Sequence, residues 1–294
     1  MRITLENGYT RVEIKELGAE LCSFYSKTSG FEYLWQGDPM VWSGQSPLLF
    51  PIVGGLLNGK YHYKGKDYQL AKHGFARNSL FKCERKTDDS AIFLLESNES
   101  TMDVYPFSFA LSVEFKLSKN QIRVKHRVKN KSGEQMYFSI GAHPGFNCEI
   151  GDYLEFEKNE TLFTERIDKN AVIIDTKFPL LNDERILKIT ENLFDNDALI
   201  LSGFKSKQVT LKSPGHSREL RFHFGDAPFL GIWAKPGASY VCIEPWYGIN
   251  DDYSLSGDLV KKRGIQTLNP EDEFAFEWSA QIFEPQLQQF FNKK

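Results

Sequence analysis

Phe107-Ser108-Phe109-Ala110-Leu111-Ser112-Val113-Glu114-Phe115-Lys116-Leu117 puts a large apolar residue at every second position. A two-residue repeat belongs to an extended chain whose side chains point alternately to opposite faces, so all six apolar groups share one face of a strand. Ile122, Val124, His126 and Val128 follow the same rule against Arg123, Lys125 and Arg127, and Leu220, Phe222 and Phe224 follow it against Arg221, His223 and Gly225. Turn chemistry falls between such runs, at Asn7-Gly8, Ser29-Gly30, Asn58-Gly59, Gly65 and Ser132-Gly133. The first of these separates Ile3/Leu5 from Val12/Ile14 and predicts an opening hairpin. Helical periodicity is scarce, and only Asp183 to Asn192 and the tail Glu284 to Asn292 are expected to form short helices. The 24 Phe residues suit a pleated, half-buried surface. The pattern predicts one all-β domain over residues 1–294, a large sandwich of two antiparallel sheets with few short helices.

Composition narrows the partners. Hydrophobic residues are 41% and charged residues 26%, which excludes a disordered chain. With 36 basic against 39 acidic residues there is no basic field to hold a nucleic-acid backbone or an anionic membrane, so neither partner is expected. Met1 to Gly8 carry no apolar signal region, and the longest apolar stretch, Ser46 to Leu57, is broken by Pro51, Gly54 and Gly55 and is too short to span a bilayer. Cys22, Cys83, Cys148 and Cys242 are scattered, with no C-x-x-C pair, and read as free thiols in a reducing compartment. A soluble cytoplasmic protein, monomer or homodimer, is the expectation.

The histidines sort by context. His62 lies in a Tyr-His-Tyr hairpin between glycine turns, His216 in Ser-Pro-Gly-His-Ser, and His223 faces away from Phe222 and Phe224. His126 shares parity with Ile122 and Val124, which makes it a satisfied core histidine. His73 and His143 differ. A glycine directly after His73 lets the backbone approach a ligand closely. His143, in Gly141-Ala142-His143-Pro144-Gly145, ends a strand that Pro144 stops from continuing as a paired central one. Either histidine is also compatible with a turn residue making local hydrogen bonds.

In Tyr240-Val241-Cys242-Ile243-Glu244-Pro245-Trp246-Tyr247, parity sets Glu244 on the face of Tyr240 and Cys242. A carboxyl group at the end of an apolar strand is desolvated, which raises its pKa and suits a general base. A salt bridge to an arginine is the competing use. Trp246 and Tyr247 are either a sugar-stacking wall or core. The chain has no G-x-S-x-G elbow, no phosphate-cradling glycine loop and no zinc-spaced histidine pair. Two histidines and one carboxylate point to proton-transfer chemistry.

His73-Gly74-Phe75-Ala76-Arg77, Gly141-Ala142-His143-Pro144 and Cys242-Ile243-Glu244-Pro245-Trp246, in that order and across nearly the whole chain, resemble the aldose 1-epimerase (galactose mutarotase) family and its LacX-like branch. The resemblance implies a β-supersandwich, a sugar site on the concave sheet and no cofactor. It implies Glu244 as the base that takes the C1 hydroxyl proton and His143 as the acid that protonates the ring oxygen. It further implies His73 as a sugar ligand near the ring oxygen, and Arg77 as a hydroxyl or phosphate contact. Asp195 and Asp197 both offer the substrate-binding aspartate of the galactose branch, with Asp197 preferred and a plain turn role equally open. Relatives commonly carry arginine where this chain has Gly55, which leaves the sugar unassigned; a basic niche near Arg77 would mark a phosphorylated one. Two other readings stay open, a non-catalytic carbohydrate-binding or regulatory protein, and a glycoside hydrolase in which a distant acid such as Asp226 joins Glu244.

Overall fold

A computed structural model describes residues 1–254 and 256–285. Every strand pair in its sheets is antiparallel. One hydrogen-bonded ladder of 15 strands carries the molecule, and a three-stranded sheet (Arg2–Glu6, Thr10–Lys15, Glu20–Ser26) contains the expected opening hairpin. The ladder turns on one strand, Tyr153–Ile167. Its first residues pair with Gln208–Lys212, and its last pair with Leu199–Ser202. One half of the sheet then runs out through Glu219–His223, Glu273–Phe283, Gln121–Asn130 and Phe109–Ser118; the other runs through Phe229–Trp233 and Tyr240–Tyr247 to Ile140–Ala142 and Leu48–Leu49.

The two-residue repeat translates directly into burial. Phe107, Phe109, Leu111, Val113, Phe115 and Leu117 are all buried, as are Leu220, Phe222 and Phe224. One expected helix does not form. Asp183–Lys188 is not helical but the end of the strand Ile173–Lys188, because Leu187 and Ile186 pair with Leu154 and Glu155 of the neighbouring strand. Leu181 and Leu187 are buried from that strand, and pairing along a long hairpin outweighs local helix propensity. The α-helix Glu99–Val104, capped by Asn98 and Thr101, is one that the sequence reading missed. The tail expected to be helical lies, from residue 286 on, outside the described residues. No helix among those described is long and apolar enough to cross a membrane.

His126 is a core residue, stacked on Phe276 with ring centroids 4.4 Å apart, yet its Nδ1 has no hydrogen-bond partner among the described residues, so "satisfied" is corrected. Burial pulls its pKa down to about 3. The folded value lies below that of the unfolded chain, near 6.5. As pH falls the unfolded chain therefore takes up the proton first, so stability is full above about 6.5 and declines from there toward about 3. The slope for one such group is about 1.4 kcal/mol per pH unit. His126→Leu should thus recover about 2 kcal/mol of the stability that the protein loses between pH 6.5 and 5. Urea denaturation at both values checks this; an identical pH dependence in the variant would refute it.

Candidate active site

The central strand Tyr240–Tyr247 is buried along almost its whole length. On one side it pairs with Phe229–Trp233, on the other with Ile140–Ala142 and then Gly145–Asn147. Pro144 therefore interrupts the ladder without ending it, which corrects the expected strand end. Gly141 faces Trp246 and Gly145 faces Cys242. Counting inward from both pairs brings His143 opposite Glu244. The His143 Nε2 and Glu244 Oε2 atoms lie 3.2 Å apart, with the Glu244 side chain 1% exposed.

Neighbouring side chains fix this pair. The Trp246 Nε1–H donates to the same Glu244 Oε2 at 3.2 Å. That indole lies between two glycines of the flanking strands: a Cβ on Gly141 would meet it at 2.7 Å and one on Gly231 at 2.5 Å. Trp246 is thus core, as one reading held, and also the group that orients the carboxyl. Tyr247 packs on the other face, against Phe274 and Phe276. The His143 ring rests on Trp42 and meets the edge of Trp233, while its backbone N–H donates to the Pro47 carbonyl at 3.0 Å. Its Nδ1 is buried with no partner among the described residues.

His73 enters from a different segment, held in the left-handed region at φ 70°. The next residue must be glycine, since φ is again 70° and a Cβ there would sit 2.3 Å from the Phe50 carbonyl oxygen. The Gly54 N–H donates to His73 Nδ1 at 3.1 Å, which leaves the ring proton on Nε2 as a donor. Backbone strain of this kind persists where surrounding structure over-determines it and clusters at functional sites.

These groups line a cavity of about 170 Å³, a monosaccharide-sized hollow, with Trp42, Lys72, Arg77, Asp197, Trp233 and Asn250. All five residues singled out in the sequence, His73, Arg77, His143, Asp197 and Glu244, border it. Asp195 does not; it faces an open groove that adjoins the cavity at Ile167 and Asp197. Asp197 accepts from its own neighbour, the Ala198 N–H, at 2.7 Å. Asp226, the acid invoked for a hydrolase, is a surface residue paired with Lys207 and lies outside the cavity. Gly55 has no room for a side chain: a Cβ would stand 2.8 Å from the Ala171 carbonyl oxygen, so the turn Asp168–Val172 fills the space that a longer residue would need. Sequence reading missed Lys72, Trp42, Trp233 and Asn250. Only Lys72 had a local signal, its place beside His73.

Burial dominates the electrostatics. It raises the Glu244 pKa well above the ordinary carboxyl value, against the lowering effects of Lys72 and the Trp246 hydrogen bond. It lowers His143 to about 3 and His73 well below its usual value, with the positive charges of Lys72 and Arg77 pushing both the same way. Burial thus favours the uncharged form of each group, the carboxylic acid of Glu244 and the neutral imidazole of His143. Cys242 completes a buried trio with His143 and Glu244 whose ligand atoms lie within 4.8 Å of one another. That donor set suits a thiophilic divalent ion, and such an ion would occupy both proton-carrying groups.

The family described as aldose 1-epimerase matches residues 1–279. The chain is 34% identical over 288 residues to the chromosomal LacX protein of Lactococcus lactis subsp. lactis, covering 92% of this chain and 96% of that one. A galactose mutarotase related enzyme from Lactobacillus acidophilus superposes with a TM-score of 0.92 at 37% identity, covering 97% of this chain and 98% of that one. A galactose mutarotase-like protein from Lactobacillus casei gives 0.91 at 28% identity, with 96% and 100% covered. A mostly-β chain with large antiparallel sheets, matched along nearly its full length in both sequence and structure, belongs to the aldose 1-epimerase family.

Proposed function

We propose that this protein is an aldose 1-epimerase, an isomerase that interconverts the α and β anomers of a sugar by acid–base ring opening and closure. The observation that carries the reading is the 3.2 Å contact between the buried His143 and Glu244 on the wall of a monosaccharide-sized cavity.

Ring opening needs a proton taken from O1 and another delivered to O5. The neutral pair and the ion pair hold the same number of protons and differ only in which group carries the shared one. In the ion-pair form Glu244 accepts the O1 proton, the O1 electrons form the carbonyl, the C1–O5 bond breaks toward O5, and His143 protonates that oxygen. Both side chains end neutral. Burial disfavours the two charges and favours their loss, so the forces that shift both pKa values also favour opening. Rotation about C1–C2 presents the other carbonyl face, and reversed transfers close the ring. Each proton transfer contributes roughly 10²–10⁴-fold. No covalent intermediate is needed.

A non-catalytic binding protein has no use for an acid touching a base, and the hydrolase reading lacks its second acid at Asp226. The test is polarimetry or proton NMR on freshly dissolved aldose. The protein should accelerate approach to anomeric equilibrium, and His143→Asn should cut kcat by about a hundredfold or more. No acceleration by the unmodified protein on free or phosphorylated hexoses, or a near-normal rate in His143→Asn, would overturn the assignment.

A further inference from the structure

Anomerisation leaves one reactive group beside the acid–base pair without a task. Cys242 lies two residues before Glu244 on the strand Tyr240–Tyr247, so the thiol and the carboxyl leave the same face. The Cys242 Sγ, a His143 ring nitrogen and a Glu244 carboxyl oxygen lie within 4.8 Å of one another, the one such trio of ligand atoms among the described residues. Gly145 faces Cys242 across the ladder, and a Cβ there would stand 3.3 Å from the sulfur and 3.0 Å from Trp42. The glycine thus leaves room beside the thiol.

The distances suit a small tetrahedral ion. Zinc holds nitrogen and oxygen at about 2.0–2.2 Å and thiolate sulfur at about 2.3 Å, which sets neighbouring ligand atoms about 3.4–3.6 Å apart. His143 Nε2 and Glu244 Oε2 are already 3.2 Å apart, and the sulfur needs to move by at most about 1 Å. Both ligand side chains are held from behind: Trp246 Nε1–H donates to Glu244, and the His143 backbone N–H donates to the Pro47 carbonyl. His143 and Glu244 border the cavity while Cys242 is fully buried, so the fourth position of such an ion opens toward the cavity. Charge also balances. Glu244 and Cys242 each give up a proton on coordination, so a divalent ion takes the place of two protons and the buried charge is unchanged. The positive charges of Lys72 and Arg77, which act against an imidazolium at His143, then meet a neutral complex. Magnesium and calcium prefer six or more oxygen donors and find no such set in this trio.

We propose that Cys242, Glu244 and His143 form a site for a thiophilic divalent ion of the zinc type, and that the bound ion shuts off anomerisation by holding the lone pairs that proton transfer needs. Binding of the ion stands on the trio alone, and its effect on turnover rests on the epimerase reading.

The experiment uses the full chain after treatment with a chelator. Cobalt(II) should produce the near-ultraviolet sulfur-to-metal band of a thiolate complex, and Cys242→Ser should abolish it. In the anomerisation assay zinc should inhibit, a chelator should restore the rate, and magnesium at the same concentration should have no effect. Cys242→Ser should keep kcat within about twofold of normal and need about tenfold or more zinc for half-inhibition. Cys242→Ala takes its place if thermal unfolding shows that serine is not tolerated in the core. Absence of the cobalt band, or equal zinc sensitivity with and without the thiol, overturns the site. Undiminished turnover in zinc at a concentration that displaces the cobalt band overturns the inhibitory role. If the protein accelerates no sugar yet gives the band and loses it with Cys242, the metal site stands and the catalytic reading falls.

Discussion

Replacing Glu244 with Gln is expected to lower kcat for anomerisation by about a hundredfold or more. Glutamine keeps the shape of the side chain and can still accept the Trp246 N–H, which lies 3.2 Å from the carboxyl oxygen. What it loses is the ability to take a proton. The variant should fold normally, and the sign of the pKa shift says why. Burial raises the folded pKa of Glu244, so the carboxyl contributes stability below the unfolded value near 4.3 and loses that contribution as pH rises through the folded value. At neutral pH the buried acid is a liability, and the amide should be at least as stable in thermal unfolding. Polarimetry of the purified variant decides. Retention of a third or more of the normal kcat would mean that some other group removes the O1 proton.

Asp251→Ala is expected to cost about 3–5 kcal/mol of stability. Asp251 and Lys262 are 2.7 Å apart with side chains 3% and 2% exposed, and burial holds the Lys262 ammonium below its usual pKa even with that partner present. Removing the carboxylate strands a charge where water does not reach. The damage should extend to the cavity, because Asp251 also accepts the Leu57 N–H at 2.9 Å, and its backbone bonds Gly55 and Ile173. Its neighbour Asn250 lines the cavity and donates to the Ala171 carbonyl at 2.8 Å. Three chain segments around the cavity thus meet at one ion pair. The control is Lys177→Ala: Lys177 lies 3.4 Å from Glu165 but is 63% exposed, and its loss should cost less than about 1 kcal/mol. Urea unfolding of both variants checks the contrast, and similar losses would refute the argument from burial.

How far the sequence carried the reading depends on where each signal was stored. The strand Phe109–Ser118 was legible because a two-residue apolar repeat has one structural meaning, and its alternate residues are buried as the repeat requires. The stretch Asp183–Lys188 was not, because its partner strand begins some 30 positions earlier and no local pattern encodes that pairing. His73, His143 and Glu244 stood out through unusual neighbours, glycine and proline, that mark backbone departures. Trp42 and Asn250 carry no such mark. They border the cavity only because distant segments converge on it, and convergence has no local signature.

The interrupted ladder at Pro144 has a further consequence. His143 and Glu244 face each other across two adjacent strands, so the gap between them is set by the spacing of a hydrogen-bonded sheet, about 4.8 Å between strand axes. That spacing is a ruler made of backbone, indifferent to which sugar arrives. O1 and O5 flank the same carbon in every aldopyranose, so the reacting atoms present one fixed dimension to one fixed gauge. Segments such as Lys72–Arg77 and Asp197–Ala198 border the cavity without belonging to that gauge. Exchanging them can retune which sugar is held while the proton-transfer geometry stays where the sheet puts it.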